Sequence, residues 1–222
     1  MDAISYVRYS PHKDSTRLTE QLVEAYREVF STEPWNEWKK CPTCERYWGQ
    51  KDARYLQSVE FRHCGVPMVD FWPRETVTQD LFHEITPECS CWVAISDSSI
   101  IGFTWGYPID LNTLEHKLGV PIASSFAHYF GTAESIAYQD EVGVTDQYRE
   151  KKIAKALVAH RHADFLSRGL EVGVVRTRAR PMPSVTYLWY TKKLGYKQLA
   201  EYPDGRVVLA RRLEGLQELL HS

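Results

Sequence analysis

Apolar residues recur along the chain with two different periods, and their alternation outlines a mixed α/β protein. Residues 3–8 alternate like a strand. Ser15 then precedes a stretch in which Leu18, Leu22, Ala25, Tyr26 and Val29 fall on one helical face, ended by Pro34. Both periods disappear over residues 34–73, where Trp35, Trp38, Trp48 and Trp72 sit among prolines, glycines and two cysteine motifs. A second helix is expected over 75–84. Two strands, 91–96 and 100–107, turn through Asp97 to Ser99. Residues 108–134 read as a long connection holding a short helix near Leu114. A strand over 135–144 then runs towards a helix over 152–168, capped by Gly169 and followed by a strand over 172–178. Pro181 and Pro183 lead to a helix over 184–193, closed by Gly195. The last expected elements are the strands of a hairpin, 197–202 and 207–212, turning through Pro203, Asp204 and Gly205.

The length of 222 residues suits one domain, 1–222, carrying an insertion at about 34–73. A net charge of −2 gives no general attraction to nucleic acid or to an anionic membrane, so any basic site has to be local. No apolar run approaches the ~20 residues that span a bilayer, and the first residues lack the apolar centre of a secretory signal. Five cysteines, an odd number with two close pairs, fit a reducing compartment. The expectation is a cytoplasmic protein with neither nucleic-acid nor membrane partner, monomeric or homodimeric.

The stretch Val142 to Leu157 reads as a strand, a short loop and a helix start. Arg149, Lys151 and Lys152 place cations beside the first-turn N–H groups, an arrangement suited to phosphate or diphosphate. The plainer reading is the solvated first turn of an amphipathic helix. Its stripe of Ala154, Leu157, Val158 and Phe165 faces the core, and Arg161 snorkels from that stripe to a rim. The segment resembles the signature of the GNAT superfamily, the acetyl-CoA-dependent N-acyltransferases: Val, a short turn, Arg or Gln, two residues, Gly, any residue, then Gly or Ala. Arg149 and Ala154 match, while Lys152 stands at the central Gly. The loop must therefore keep a negative φ there or accept strain. Tyr190 to Tyr196, Y-T-K-K-L-G-Y, resembles the family's Tyr-x-Lys-x-Gly-Phe segment.

The resemblance implies a GNAT-like fold, with a central mixed, mostly antiparallel sheet flanked by helices. It also implies acetyl-CoA as co-substrate and a primary amine of a small molecule as acceptor, attacking directly in a ternary complex. Backbone groups of Val142, Gly143 and Val144 would then hold the pantetheine arm, and the loop and helix start formed by Arg149, Glu150, Lys151, Lys152, Ile153, Ala154 and Lys155 the diphosphate. Ser184 stands at the family's Asn position, which implies a cofactor contact, and also reads as a helix cap. Glu141, three residues before Val144, is the candidate base, with Asp140 on the opposite face. Tyr190 is the candidate acid; Tyr187 is the second choice and a candidate cofactor contact. Both rings equally suit a core.

Cys41 and Cys44, two residues apart, form a knuckle of the kind that shares a zinc ion, and Cys64 supplies a third sulfur. His63, His83, Cys89 and Cys91 are the candidates for the fourth position, His63 being adjacent in sequence. Reduced cysteines in a small metal-free core are the alternative. The acceptor is expected among Glu33 to Trp38 and the 108–134 connection, with Phe126, His128, Tyr129 and Phe130. Two other functions compete: a catalytically silent acyl-CoA-binding regulatory module, and a zinc-ribbon protein that binds nucleic acid.

Overall fold

The computed structural model describes residues 3–133 and 135–221. Its elements are β1 (Ser5–Arg8), α1 (Thr16–Ser31), β2 (Lys39–Lys40), β3 (Tyr47–Trp48), α2 (Ala53–Ser58), β4 (Arg62–His63), β5 (Val66–Pro67), β6 (Val69–Asp70) and α3 (Arg74–Glu84). There follow β7 (Ser90–Ser96), β8 (Ser99–Ile109), α4 (Leu111–Leu118), α5 (Ala123–Phe130), β9 (Ile136–Val144), α6 (Ile153–Ser167) and β10 (Val172–Arg178). The chain closes with α7 (Val185–Leu188), β11 (Lys197–Glu201), β12 (Arg206–Arg212) and α8 (Leu216–His221). Seven strands form one mixed, mostly antiparallel sheet in the order β1-β7-β8-β9-β10-β12-β11. Among the described residues no helix is long and apolar enough to cross a membrane.

The chain forms two compact units. One gathers Met1–Thr86, Val93–Phe103 and Gly143–Ile153; the other gathers Pro87–Trp92, Thr104–Val142 and Ala154–Ser222. In the first, α1 starts where the Ser15 hydroxyl accepts the Leu18 N–H at 3.3 Å, a cap that stabilises a helix by about 1 kcal/mol. Its apolar face buries Leu22, Val23, Ala25, Tyr26, Val29 and Phe30, and the Tyr26 ring stacks on Phe103 with centroids 5.8 Å apart.

The expected irregular insertion contains order. β2 pairs with β3 and β6 in a small antiparallel sheet, β4 pairs with β5, and α2 lies between them in sequence. Asp70 fastens this sheet to α1, taking Arg27 Nη2 at 2.9 Å and Lys39 Nζ at 2.7 Å.

In the second unit β10 pairs antiparallel with β12 over its whole length, from Val172 opposite Arg212 to Arg178 opposite Arg206. Its parallel pairing with β9 is short: Ile136, Ala137 and Tyr138 lie opposite Val172, Gly173 and Val174, and there the register ends. Both strands continue, so they part beyond Tyr138.

The long connection of the sequence reading is two helices. Asp110 caps α4 through the Thr113 N–H at 2.9 Å, and Gly119 ends it at φ 66°. The Glu115 carboxylate of α4 then takes the N–H groups of Ile122 and Ala123, at 2.5 and 2.7 Å, where α5 begins. Phe126 and Phe130 go into the core with Leu114, Leu118 and Tyr138, so they are core rings and not acceptor contacts. The helix expected over 184–193 is α7 followed by a π-helical turn at Trp189–Lys193. That turn takes up the one residue by which the Tyr190–Gly195 spacing exceeds the family pattern.

Candidate functional site

Beyond β9 the chain is braced before it turns. The Thr145 N–H donates to the Ile101 carbonyl at 3.0 Å, and the Arg149 N–H closes a 3-10 turn on Asp146 at 3.2 Å. Glu150 and Lys152 then take left-handed conformations, φ 64° and 62°. Such residues in a turn direct successive N–H groups into an anion-binding concavity. Among the described residues no backbone carbonyl accepts the N–H of Lys151 or Lys152. The 15-residue α6 begins at the next residue, where first-turn N–H groups have no intrahelical acceptor. Lys152 thus keeps the backbone shape natural to Gly, at a strain of about 1–2 kcal/mol, and its side chain stays exposed.

Arg149 does not offer its charge to this concavity, a departure from the sequence reading. Its guanidinium turns to the C-terminal end of α1, donating to the Glu33 carbonyl at 2.9 Å and to Thr32 Oγ1 at 2.8 Å. Asp146 pairs with it at 3.0 Å. The negative end of a helix accounts for the attraction. Lys151 lies over the Tyr148 ring, 4.6 Å from its centroid. Exposed Glu150 and half-buried Ala154 and Lys155 complete the loop and helix start, and Ile153 is buried.

On β9, Asp140 is committed: its carboxylate takes the Tyr107 hydroxyl at 2.9 Å and Lys117 Nζ at 3.3 Å, and its side chain is only 6% exposed. Glu141 is half-buried, and its main-chain carbonyl accepts Thr104 Oγ1 at 2.8 Å and Arg161 Nη1 at 2.9 Å. Arg161 does not snorkel. It is 1% exposed, and the same Nη1 also reaches Thr104 Oγ1 and the Trp105 carbonyl, while Nη2 meets Gln139 Oε1 at 2.8 Å and the Tyr190 hydroxyl at 3.3 Å. Its Nε is buried, with no partner among the described residues.

Tyr190 is a correction to the expected acid. It has no exposed surface, its ring packs edge-on to Tyr196, and burial raises its hydroxyl above the ordinary value. Ser184 is likewise interior. Its hydroxyl caps α7 by accepting the Tyr187 N–H at 3.0 Å and meets Thr177 Oγ1 at 3.0 Å, which occupies it as a cap and not as a cofactor contact. Tyr187 remains half-buried beside this cluster. Val142 is half-buried, and Gly143 and Val144 are buried. A Cβ on Gly143 would lie 2.5 Å from the Phe103 ring, so the position admits only glycine without a shift.

The first unit holds a cavity of about 450 Å³, within the range of small-molecule sites. Glu24, Arg27, Glu28 and Ser31 of α1 with its C-cap Thr32 form one side; Glu37, Trp38, Gln50 and Trp72 of the insertion form another; Asp146 closes it from the loop. Four carboxylates therefore face one arginine. Burial pushes the Glu28 carboxyl up, and an N–H from Asp146 partly offsets it. Trp72 Nε1 donates to Glu37 Oε2 at 2.9 Å, which sets the indole on the cavity wall. Glu37 and Trp38 were legible in sequence, but exposed Glu33 pairs with Lys51 instead. The α1 members were missed. Their signal is that Glu24, Arg27 and Glu28 fall off the apolar stripe on the side that leads to Ser31.

The insertion gathers its four candidate ligands. One ligand atom each of Cys41, Cys44, His63 and Cys64 lies within 4.8 Å of every other. His63 Nδ1 is 3.5 Å from Cys44 Sγ and 3.2 Å from Cys64 Sγ. His83, Cys89 and Cys91 are not part of the group.

Comparison with known proteins agrees with the fold. The family model described as Acetyltransferase (GNAT) family matches residues 16–185. No curated protein sequence matches the chain. Among solved structures, the PaiA N-acetyltransferase of Thermoplasma acidophilum, in complex with coenzyme A, is similar with a TM-score of 0.56 at 14% identity, covering 95% of this chain and 99% of that one. The aminoglycoside 6'-N-acetyltransferase of Enterococcus faecium gives 0.54 at 12% identity, with 94% and 97% covered. These likenesses concern the fold. With the family match extending over most of the length, and a mixed, mostly antiparallel sheet of seven strands, the chain belongs to the GNAT acetyltransferase family, the acyl-CoA-dependent N-acyltransferases.

Proposed function

We propose that this protein moves the acetyl group of acetyl-CoA to a primary amine of a small molecule, by direct attack in a ternary complex. The observation that carries the reading is the left-handed pair Glu150 and Lys152 just before α6, which leaves N–H groups of Lys151 and Lys152 without a backbone acceptor among the described residues. The diphosphate of the cofactor sits there. The pantetheine arm runs along β9 from Val142 to Val144, the strand whose pairing with β10 has ended at Tyr138. The acceptor enters the cavity of Glu28, Glu37, Trp38 and Trp72, whose carboxylates and indoles suit a cationic amine.

Glu141 acts as base, directly or through a water, and takes the proton that the ammonium must lose before attack. The amine nitrogen then bonds to the thioester carbon, main-chain N–H groups of β9 steady the oxyanion, and the C–S bond breaks to release the thiolate. Tyr187, half-buried where Tyr190 is enclosed, gives a proton to that sulfur and recovers one, the second proton that the new amide nitrogen sheds. The insertion adds a group of three cysteines and a histidine suited to a structural zinc ion. An odd number of cysteines, five, fits a cytoplasmic setting.

Titration calorimetry with acetyl-CoA, followed by free-thiol release over a panel of amines, tests the reading. The expected result is saturable binding and turnover with cationic amines. Glu141→Gln should bind acetyl-CoA unchanged and lose about a hundredfold or more in kcat. Unchanged turnover in that variant would favour a silent acyl-CoA-binding module instead.

A further inference from the structure

The group of Cys41, Cys44, His63 and Cys64 matches the demands of zinc in distance as well as in kind. Zinc bonds of ~2.3 Å to sulfur and ~2.0 Å to nitrogen, in a tetrahedron, place ligand atoms roughly 3.5–3.8 Å apart. The observed 3.5 and 3.2 Å from His63 Nδ1 to two sulfurs, and the 4.8 Å bound on all four atoms, leave small adjustments to reach that figure. The fold around the group has little buried core of its own. Within residues 39–71 the buried side chains are few, Cys41, Leu56 and Met68, and the strands are two residues each. Glu45, Glu60, Phe61 and Cys64 all hold positive φ without being glycine, each a strain of about 1–2 kcal/mol. A core of three side chains does not hold four such residues in place, whereas a structural metal ordinarily does this in small modules.

The two segments that meet at this group are the ones that continue into the cavity wall. Cys41 follows β2, and immediately before β2 stand Glu37 and Trp38. From His63 and Cys64 the chain runs through β5 and β6 to Trp72. β2 and β6 are paired, Lys39 opposite Asp70, and the Phe71 N–H donates to the Trp38 carbonyl at 3.0 Å. Tying residue 41 to residue 64 therefore fixes the spacing of Trp38 and Trp72. We infer that a zinc ion on Cys41, Cys44, His63 and Cys64 is a clamp on the acceptor side of the enzyme: it sets the aromatic wall that receives the amine and has no part in holding acetyl-CoA. The inference rests on reading this cavity as the acceptor site.

The test uses the full chain. Elemental analysis of the purified protein should find one zinc per chain, lost in Cys44→Ser and Cys64→Ser and retained in Cys44→His, which keeps a ligand in place. Cobalt added to the stripped protein should give the absorption of a tetrahedral thiolate site. In steady-state kinetics the stripped enzyme should show an acceptor KM raised about tenfold, the factor that one misplaced aromatic wall is worth to a cation. Its calorimetric affinity for acetyl-CoA should stay unchanged, and added zinc should restore the KM. Absence of zinc together with no cobalt site overturns the inference, and so does a stripped enzyme with an unaltered acceptor KM. Joint loss of acetyl-CoA and acceptor binding on stripping also overturns it, since the clamp is then not confined to the insertion. The transferase reading fails by a different result: zinc-replete protein that neither binds acetyl-CoA nor releases thiol.

Discussion

The guanidinium of Arg161 donates to the main-chain carbonyl of Glu141 at 2.9 Å, from a position with 1% exposure. The candidate base thus stands on a stretch of strand held from beneath by a buried cation. The other acceptors of that cation are the Thr104 and Tyr190 hydroxyls, the Gln139 amide oxygen and the Trp105 carbonyl, all neutral oxygens. Arg161→Met keeps the volume and removes every donor, so several buried acceptors lose their partner together. We expect a loss of about 2–4 kcal/mol, read as a lower urea midpoint. Arg161→Lys should recover little of it, because one ammonium cannot span both sides of a fork.

Much of the frame was readable in the sequence, and the failures share a cause. The strand, loop and helix around residues 136–167 follow from local signals: alternation, loop chemistry and a terminal Gly169. Arg161 sits inside that helix's apolar stripe, where a lone charge reads as a side chain escaping to a rim. The residues that justify its burial, Thr104, Gln139 and Glu141, are 20 to 57 positions away. The start of α5 was hidden for the same reason. Its cap is the Glu115 carboxylate of the preceding helix, not a side chain of its own. His63 could be singled out from the other candidate ligands only once β4 and β5 brought it beside Cys44. Tyr190 was misplaced because ring position depends on the π turn, which spacing alone does not reveal.

Lys152 carries a glycine's backbone angle, and Lys152→Gly should relieve it. The expected gain is about 1 kcal/mol, a rise of roughly 2–4 °C in Tm for a chain of this size. Lys152→Val, with a branched side chain at the same φ, should melt below the parent protein. A melting series of the three proteins decides it.

His162 is buried with its ring nitrogens 2.8 Å from Gln217 Oε1 and 2.9 Å from the Leu213 carbonyl oxygen, and burial lowers its pKa below the ordinary 6.5. Between the depressed folded value and 6.5 the unfolded chain binds more protons than the folded one, so stability rises with pH in that window. The contribution of the neutral ring is complete above 6.5 and is lost as pH falls through the folded value. Urea midpoints measured from pH 7.5 down to about 5 should decline, and His162→Gln should flatten the decline. An unchanged slope in that variant would show that other groups carry it.

Asp140 and Glu141 are neighbours with different duties, and paired variants separate them. Asp140→Asn leaves Lys117 without its carboxylate in a largely buried pair, which should lower stability by about 3 kcal/mol. In that variant kcat should stay near the parent value at temperatures where it is folded. Glu141→Gln should show the reverse, a normal melt with a depressed kcat.

The early parting of β9 from β10 creates a seam inside the sheet, between two strands whose outer partners are β8 and β12. A seam so enclosed differs from an outer edge strand, where a second protein chain can add itself and begin aggregation. Only something slender enough to slip between two strands can use its main-chain donors and acceptors. Hydrogen exchange at those amides of 139–144 that do not pair with β8 should accordingly be fast in the free protein and slow once a thin, amide-bearing tail lies in the gap.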